Sequence, residues 1–188
     1  GLAAGMNRLA QPLRSVMTGF DREEHVMTRV DIATGIPFDE FVAKLEKAAP
    51  PLDRAAMDRI VEAGGNWDDI RAAVTKNAPN ELMIYAKIGG TELLSLAGHR
   101  TRAIEYLIGN HVIAETMFRH DPKALLYAPL RMLVYSDSDG NAIFTMDQPS
   151  NAFGSLGIAD VTKVGEGLDR KVVNLLRVIG VDAEQAFA

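Results

Sequence analysis

The chain has 188 residues, of which 47% are hydrophobic and 24% charged, with no cysteine and a formal net charge of −5. This supports one buried core and excludes a disordered or fibrous chain. With 25 acidic against 20 basic residues there is no cationic excess for a nucleic-acid backbone, and no apolar run is long enough to span a bilayer. The missing cysteines exclude disulfides, thiol nucleophiles and thiolate metal sites.

In chain order, Met6 to Phe20 comes first, with Leu9, Leu13, Val16, Met17 and Phe20 at helical spacing. Pro12 either starts this helix or bends it. Its stripe has to lie on the chain's own core or serve as a dimer arm. The opening Gly1-Leu2-Ala3-Ala4-Gly5 lacks an initiator Met, which reads as a trimmed tag or a processed leader. Cytoplasm is the default compartment.

From Val26 the period becomes two, with Val26, Thr28, Val30 and Ile32 on one face of a half-buried strand that Ala33-Thr34-Gly35 breaks. Pro37 suits the first turn of a helix, where Asp39 and Glu40 complement the dipole. Phe38, Phe41, Val42 and Leu45 form its apolar stripe. Pro50-Pro51 ends it, and Asp53 caps a second helix through Ala63, with Met57, Ile60 and Val61 inward. Trp67 to Thr75 is a short third helix.

Glu81 to Ile88 and Thr91 to Ala97 read as strands joined in a tight hairpin by Gly89-Gly90. Ala103 to Ile108 alternates like another strand, and His111 to Arg119 is a helix with Ile113, Ala114, Met117 and Phe118 inward. Leu130 to Tyr135 and Ala142 to Met146 flank Ser136 to Asn141, a run of turn residues, and Asp147-Gln148-Pro149-Ser150 closes the second strand. The last helix starts near Asp160, buries Val161, Val164, Leu168, Val172, Leu175, Leu176 and Ile179, and stops at Gly180. About six strands and four or five helices result. The fold class is α+β: an antiparallel sheet built from hairpins, helices packed on one face, plus an N-terminal amphipathic helix. Residues 1–20 form the helical extension and residues 21–188 a single domain.

Leu107-Ile108-Gly109-Asn110, then Asp121-Pro122, Ala128-Pro129-Leu130-Arg131-Met132-Leu133-Val134-Tyr135, Asp139-Gly140-Asn141 and Met146-Asp147-Gln148-Pro149, resemble the Domain of Unknown Function 302 family. The upstream strand and the Pro37-Phe38 helix resemble its opening. The resemblance implies a small bacterial or archaeal α+β domain, often dimeric, with no established activity. Many members have Gly-Asn-Pro where this chain has Gly109-Asn110-His111, a substitution that places a titratable ring there.

His111 and Glu115 are four apart on one helix face, a spacing at which imidazole and carboxylate can share a metal or a hydrogen bond. No HExxH or third ligand at diagnostic spacing accompanies them, although His99 or His120 could be brought near by the fold. Non-covalent haem would have to draw on the histidines and on eight methionines, of which Met117, Met132 and Met146 read as core. Serines lack a Gly-x-Ser-x-Gly elbow, and the glycine pairs lack phosphate-loop spacing. Asp137, Asp139 and Asn141 imitate the first ligands of a calcium loop without its twelfth-position Glu, so they read as a turn.

Asn110, His111, Glu115, Arg131 and Tyr135 remain as the polar groups around one hairpin and helix. Arg131 must face away from Leu130 and Met132. Together these residues are expected to line a groove between sheet and helix. The functional reading is a non-enzymatic binding module, a homodimer holding a small organic ligand or a cofactor of unknown identity. The alternatives are a metal- or haem-dependent enzyme centred on His111 and Glu115, and a purely structural oligomer.

Overall fold

Every alternating stretch except one becomes a strand of a single sheet. The computed structural model describes residues 17–188. Strands β1 (Arg29–Pro37), β2 (Met83–Gly89), β3 (Ala103–Gly109), β4 (Leu130–Ser136) and β5 (Asn141–Asp147) pair antiparallel throughout, in the order β1-β5-β4-β3-β2. Around them lie α1 (Phe38–Ala48), α2 (Arg54–Glu62), α3 (Trp67–Asn77), α4 (Thr91–Ser95), α5 (His111–Phe118), a 3-10 turn (Pro122–Leu126), α6 (Pro149–Gly154) and α7 (Ala159–Ile179).

Strand alternation sends Val30, Tyr106, Ile108, Met132, Val134, Ala142, Phe144 and Met146 to one face, where they are buried. Helix α1 lays Phe38, Phe41, Leu45 and Ala48 on that face, and α7 adds Val161, Leu168, Val172, Leu175, Leu176 and Ile179. Each fully buried leucine or phenylalanine there contributes about 1.5–3 kcal/mol. Gly165 lets α7 approach α6, since a Cβ at that position would lie 3.0 Å from Phe153 Cβ and 3.2 Å from Ser150 Cα. Gly180, at φ 106°, ends α7 in the left-handed conformation that glycine adopts most easily. A second, smaller cluster joins Met83 to Val74 and Ala78 of the α3 region, with Met57, Ile70, Tyr85 and Val112 around it.

Several expectations are corrected. Thr91 to Ala97 is not a strand: residues 91–95 are helical, and β2 pairs instead with β3 across a thirteen-residue connection. Gly89-Gly90 therefore marks an exit from the sheet rather than a two-residue turn. Five strands and seven α-helices result among the described residues.

Ala33-Thr34-Gly35 does not end β1, because the irregularity is absorbed as a register shift between Ala33 and Pro37. There Gly35 has φ 67°, and Thr34 Oγ1 donates to Ala142 O at 2.6 Å. The residues after Asp147 do more than close a strand, since Pro149 opens α6. Val61 and Phe118 face solvent; Met57 and Ile60 carry the inner side of α2, and Met117 takes the buried position in α5.

Most of the expected Met6 to Phe20 helix lies outside the described residues, and Met17 to Thr28 carry no helix. This segment is tied at its end, where Thr28 N donates to Asn151 Oδ1 and Gln148 N donates to Thr28 O.

Candidate functional site

At the start of α5, Asn110 Oδ1 accepts from the backbone N–H groups of Val112 and Ile113, at 2.9 and 3.2 Å. This satisfies donors that a helix N-terminus otherwise leaves open. The other end of the amide donates to Glu81 O at 2.8 Å, bracing the turn before β2. Glu81 itself has φ 68°. Both ends of Asn110 are thus committed to the backbone.

His111 occupies the first helical position after this cap. Its Nδ1 lies 2.7 Å from the Tyr85 hydroxyl, and Arg54 Nη2 donates to Tyr85 O at 3.0 Å. Burial lowers the His111 pKa from its ordinary value, and the Arg54 charge lowers it further. Burial pushes the Tyr85 phenol up to about 12, against smaller opposing effects of the His111 contact and Arg54. At neutral pH the pair is an uncharged phenol and imidazole. In the tautomer protonated at Nε2, Nδ1 accepts the phenol proton. Glu115, one turn on, pairs with Arg119 at i, i+4.

Arg131 and Tyr135 stand on β4 with their side chains on the opposite face from Met132 and Val134. Arg131 pairs with Glu105 of the neighbouring strand and stays largely exposed. Among the described residues, no hydrogen bond or ion pair links these two groups to Asn110, His111 or Glu115. The five expected residues therefore fall into two sets: one at the β3–α5 junction and one on the outer sheet face.

Arg131 does border a hollow of about 330 Å³. Its walls include Leu107 and Leu133 from the outer face, Tyr127 and Pro129 from the segment before β4, and Phe153 from α6, while Met27, Arg29, Thr145 and Asp147 close another side. Sequence reading did not assign Leu107, Tyr127 or Leu133 to the site. The signal for Leu133 was present, because it lies midway between Arg131 and Tyr135 in a period-two pattern. Tyr127 carried no such signal, being held by the turn that Asp121 caps through Lys123 N at 2.9 Å.

A second hollow, of about 600 Å³, opens between the start of α1 and the β4–β5 turn. There Arg102 pairs with Asp39 at 2.8 Å and stands 4.4 Å over the Phe38 ring. In the adjoining turn, Asp137 Oδ1 accepts from Asp139 N and Asn141 N, both at 2.9 Å, so this carboxylate shapes the turn. Among the described residues, no group of three or more His, Asp or Glu side chains is placed to hold a metal ion. None of the described helices is long and apolar enough to cross a membrane.

An antiparallel five-stranded sheet backed by α1 and α7 defines an α+β domain. The chain belongs to the family described as Domain of unknown function DUF302, which matches residues 61–178, from the end of α2 to the last turn of α7. Its fold is similar to the crystal structure of an uncharacterized conserved DUF302 protein from Bacillus stearothermophilus. That similarity has a TM-score of 0.55 at 14% identity and covers 81% of this chain and 97% of the other. No curated protein matches the chain.

Proposed function

We propose that the chain is a non-enzymatic binding module that acts as a homodimer and holds a small organic ligand. The observation that supports this reading is the hollow of about 330 Å³ beside Arg131. Its size falls at the lower end of small-molecule sites, and its make-up of apolar walls with a few polar groups is what such sites share. Leu107, Leu133, Tyr127 and Phe153 would contact an apolar body, while Arg131, Arg29 and Asp147 would orient a polar end.

Of the expected site residues, Arg131 contributes directly and Tyr135 extends the same face. Asn110 and His111 hold the β3–α5 junction, and Glu115 adds surface charge beside it.

Native mass spectrometry of protein purified without chelator tests this reading, together with thermal shifts against a panel of small organic acids and aromatic compounds. A retained adduct or a stabilising compound, lost in Arg131→Ala and Leu133→Asp, is the expected result. A bare mass with no stabilising compound, in protein whose cooperative unfolding shows an intact core, rejects it.

A further inference from the structure

The charges around the hollow beside Arg131 do not balance. Its walls carry Arg29, Arg131 and Asp147. Both arginines are already paired, Arg131 with Glu105 and Arg29 Nε with Asp31 at 3.5 Å, and Asp31 also lies 2.5 Å from the Thr145 hydroxyl. Asp147 stands opposite Arg29 in the β1–β5 register, yet among the described residues no hydrogen bond or ion pair engages its carboxylate. Three carboxylates thus meet two guanidinium groups, and the negative charge left over sits at Asp147.

The chain entering β1 adds to this imbalance. His25 reaches Tyr127, with ring centroids 6.4 Å apart, and Met27 lines the hollow. Just ahead of them, Asp21, Glu23 and Glu24 outnumber Arg22. A low-dielectric recess rimmed by one sign of charge concentrates ligands of the opposite sign. The remaining wall is apolar: Leu107, Tyr127 and Leu133 are half-buried, and the Tyr127 ring is held edge-on to Phe153 at 6.0 Å and 86°.

We infer that the hollow takes a hydrophobic amine, a protonated organic base whose ammonium rests on Asp147 and whose apolar body lies against Leu107, Tyr127 and Leu133. This rests on the ligand reading above and adds the chemical class of the ligand. At about 30 Å³ for each water, the volume of about 330 Å³ equals about eleven waters, which is room for one aromatic ring and a short chain. The ring face of Tyr127 is itself attractive to a cation. An organic anion fits less well, because it would have to take Arg131 from Glu105 or Arg29 from Asp31 and leave that carboxylate unpaired. Arg131 is therefore a positioning residue: by holding Glu105 it leaves Asp147 as the free anchor.

The test uses three probes of nearly one shape, phenethylamine, phenethyl alcohol and phenylacetate, titrated into the full chain and followed by amide NMR shifts. The amine should bind at least about tenfold more tightly than the alcohol, and the acid no better than the alcohol, with shifts gathered at Tyr127, Leu133 and Asp147. Added salt should weaken the amine and spare the alcohol. Asp147→Asn replaces an exposed side chain by one of the same shape. In that variant the amine should fall to the affinity of the alcohol, while the alcohol is unchanged. Leu133→Ala should weaken both alike.

A preference for the amine that survives in Asp147→Asn overturns the inference, as does phenylacetate binding as tightly as phenethylamine. Should the alcohol bind in the hollow and the amine no better, the ligand reading stands and the amine assignment falls. Should none of the three move Tyr127 or Leu133, the amine assignment falls as well, and the broader panel of acids and aromatic compounds decides the ligand reading separately.

Discussion

The Tyr85 hydroxyl stands 2.7 Å from His111 Nδ1, tying the middle of β2 to the first turn of α5. The two rings sit 4.9 Å apart between centroids, tilted by 53°. Burial disfavours a cation on that imidazole, and the Arg54 charge adds to the effect. The folded protein therefore prefers the neutral ring.

Linkage makes this measurable. The folded His111 pKa lies below the unfolded value near 6.5, so the unfolded chain takes up protons first as pH falls. This contribution to stability is complete above pH 6.5 and declines below it, toward the folded pKa. Thermal midpoints of wild type and His111→Gln between pH 5 and 8 should diverge in slope, with wild type losing more on the acid side. Parallel curves would reject the assignment.

Asn110 offers a cleaner separation of roles. Asn110→Asp keeps an oxygen for the cap but loses the donor to Glu81 O, whereas Asn110→Ala loses both. Urea unfolding should show a cost of about 1 kcal/mol for the first and about 2 kcal/mol or more for the second. Equal costs would mean that the cap oxygen contributes nothing.

Two glycines in α7 should respond in opposite directions to alanine. At Gly167 a Cβ meets nothing within 4 Å, so Gly167→Ala should gain up to about 1 kcal/mol of helix propensity. At Gly165 the same change presses on Phe153 Cβ and Ser150 Cα and should cost about 1–3 kcal/mol. Chemical denaturation of both variants decides it, and stabilisation by Gly165→Ala would show that α6 has room to move.

Asp169 is buried on α7, where it accepts from Gln148 Nε2 and Ser150 N, both at 2.9 Å. It thereby fastens the start of α6 to the final helix. Asp169→Ala leaves both donors without this acceptor and should destabilise by about 2–3 kcal/mol. Gln148→Ala, which leaves the Ser150 bond intact, should cost less. The ordering of the two midpoints is the readout.

How much of this was legible follows from how local each signal is. The Phe38 helix and the β4–β5 hairpin were readable because their periodicity and turn residues sit within a few positions of one another. The direction of Arg131 was readable from Leu130 and Met132 alone. Gly89-Gly90 misled because the same dipeptide suits a tight turn, and only the distant β3 pairing decides otherwise. Tyr85 was invisible as a partner of His111 because the register shift between Ile84 and Ala86 is set by the neighbouring strand. The hollow was partly hidden for a similar reason, since Tyr127 and Phe153 meet Leu133 only after the sheet and α6 have formed.

The strand order carries one more consequence. β1 pairs only with β5, so Arg29 finds its register partner, Asp147, more than a hundred residues later. On a ribosome adding about 5–20 residues per second, the first strand waits about 6–24 s for its neighbour to be synthesised. During that interval Val30, Ile32 and Ile36 have no sheet to join.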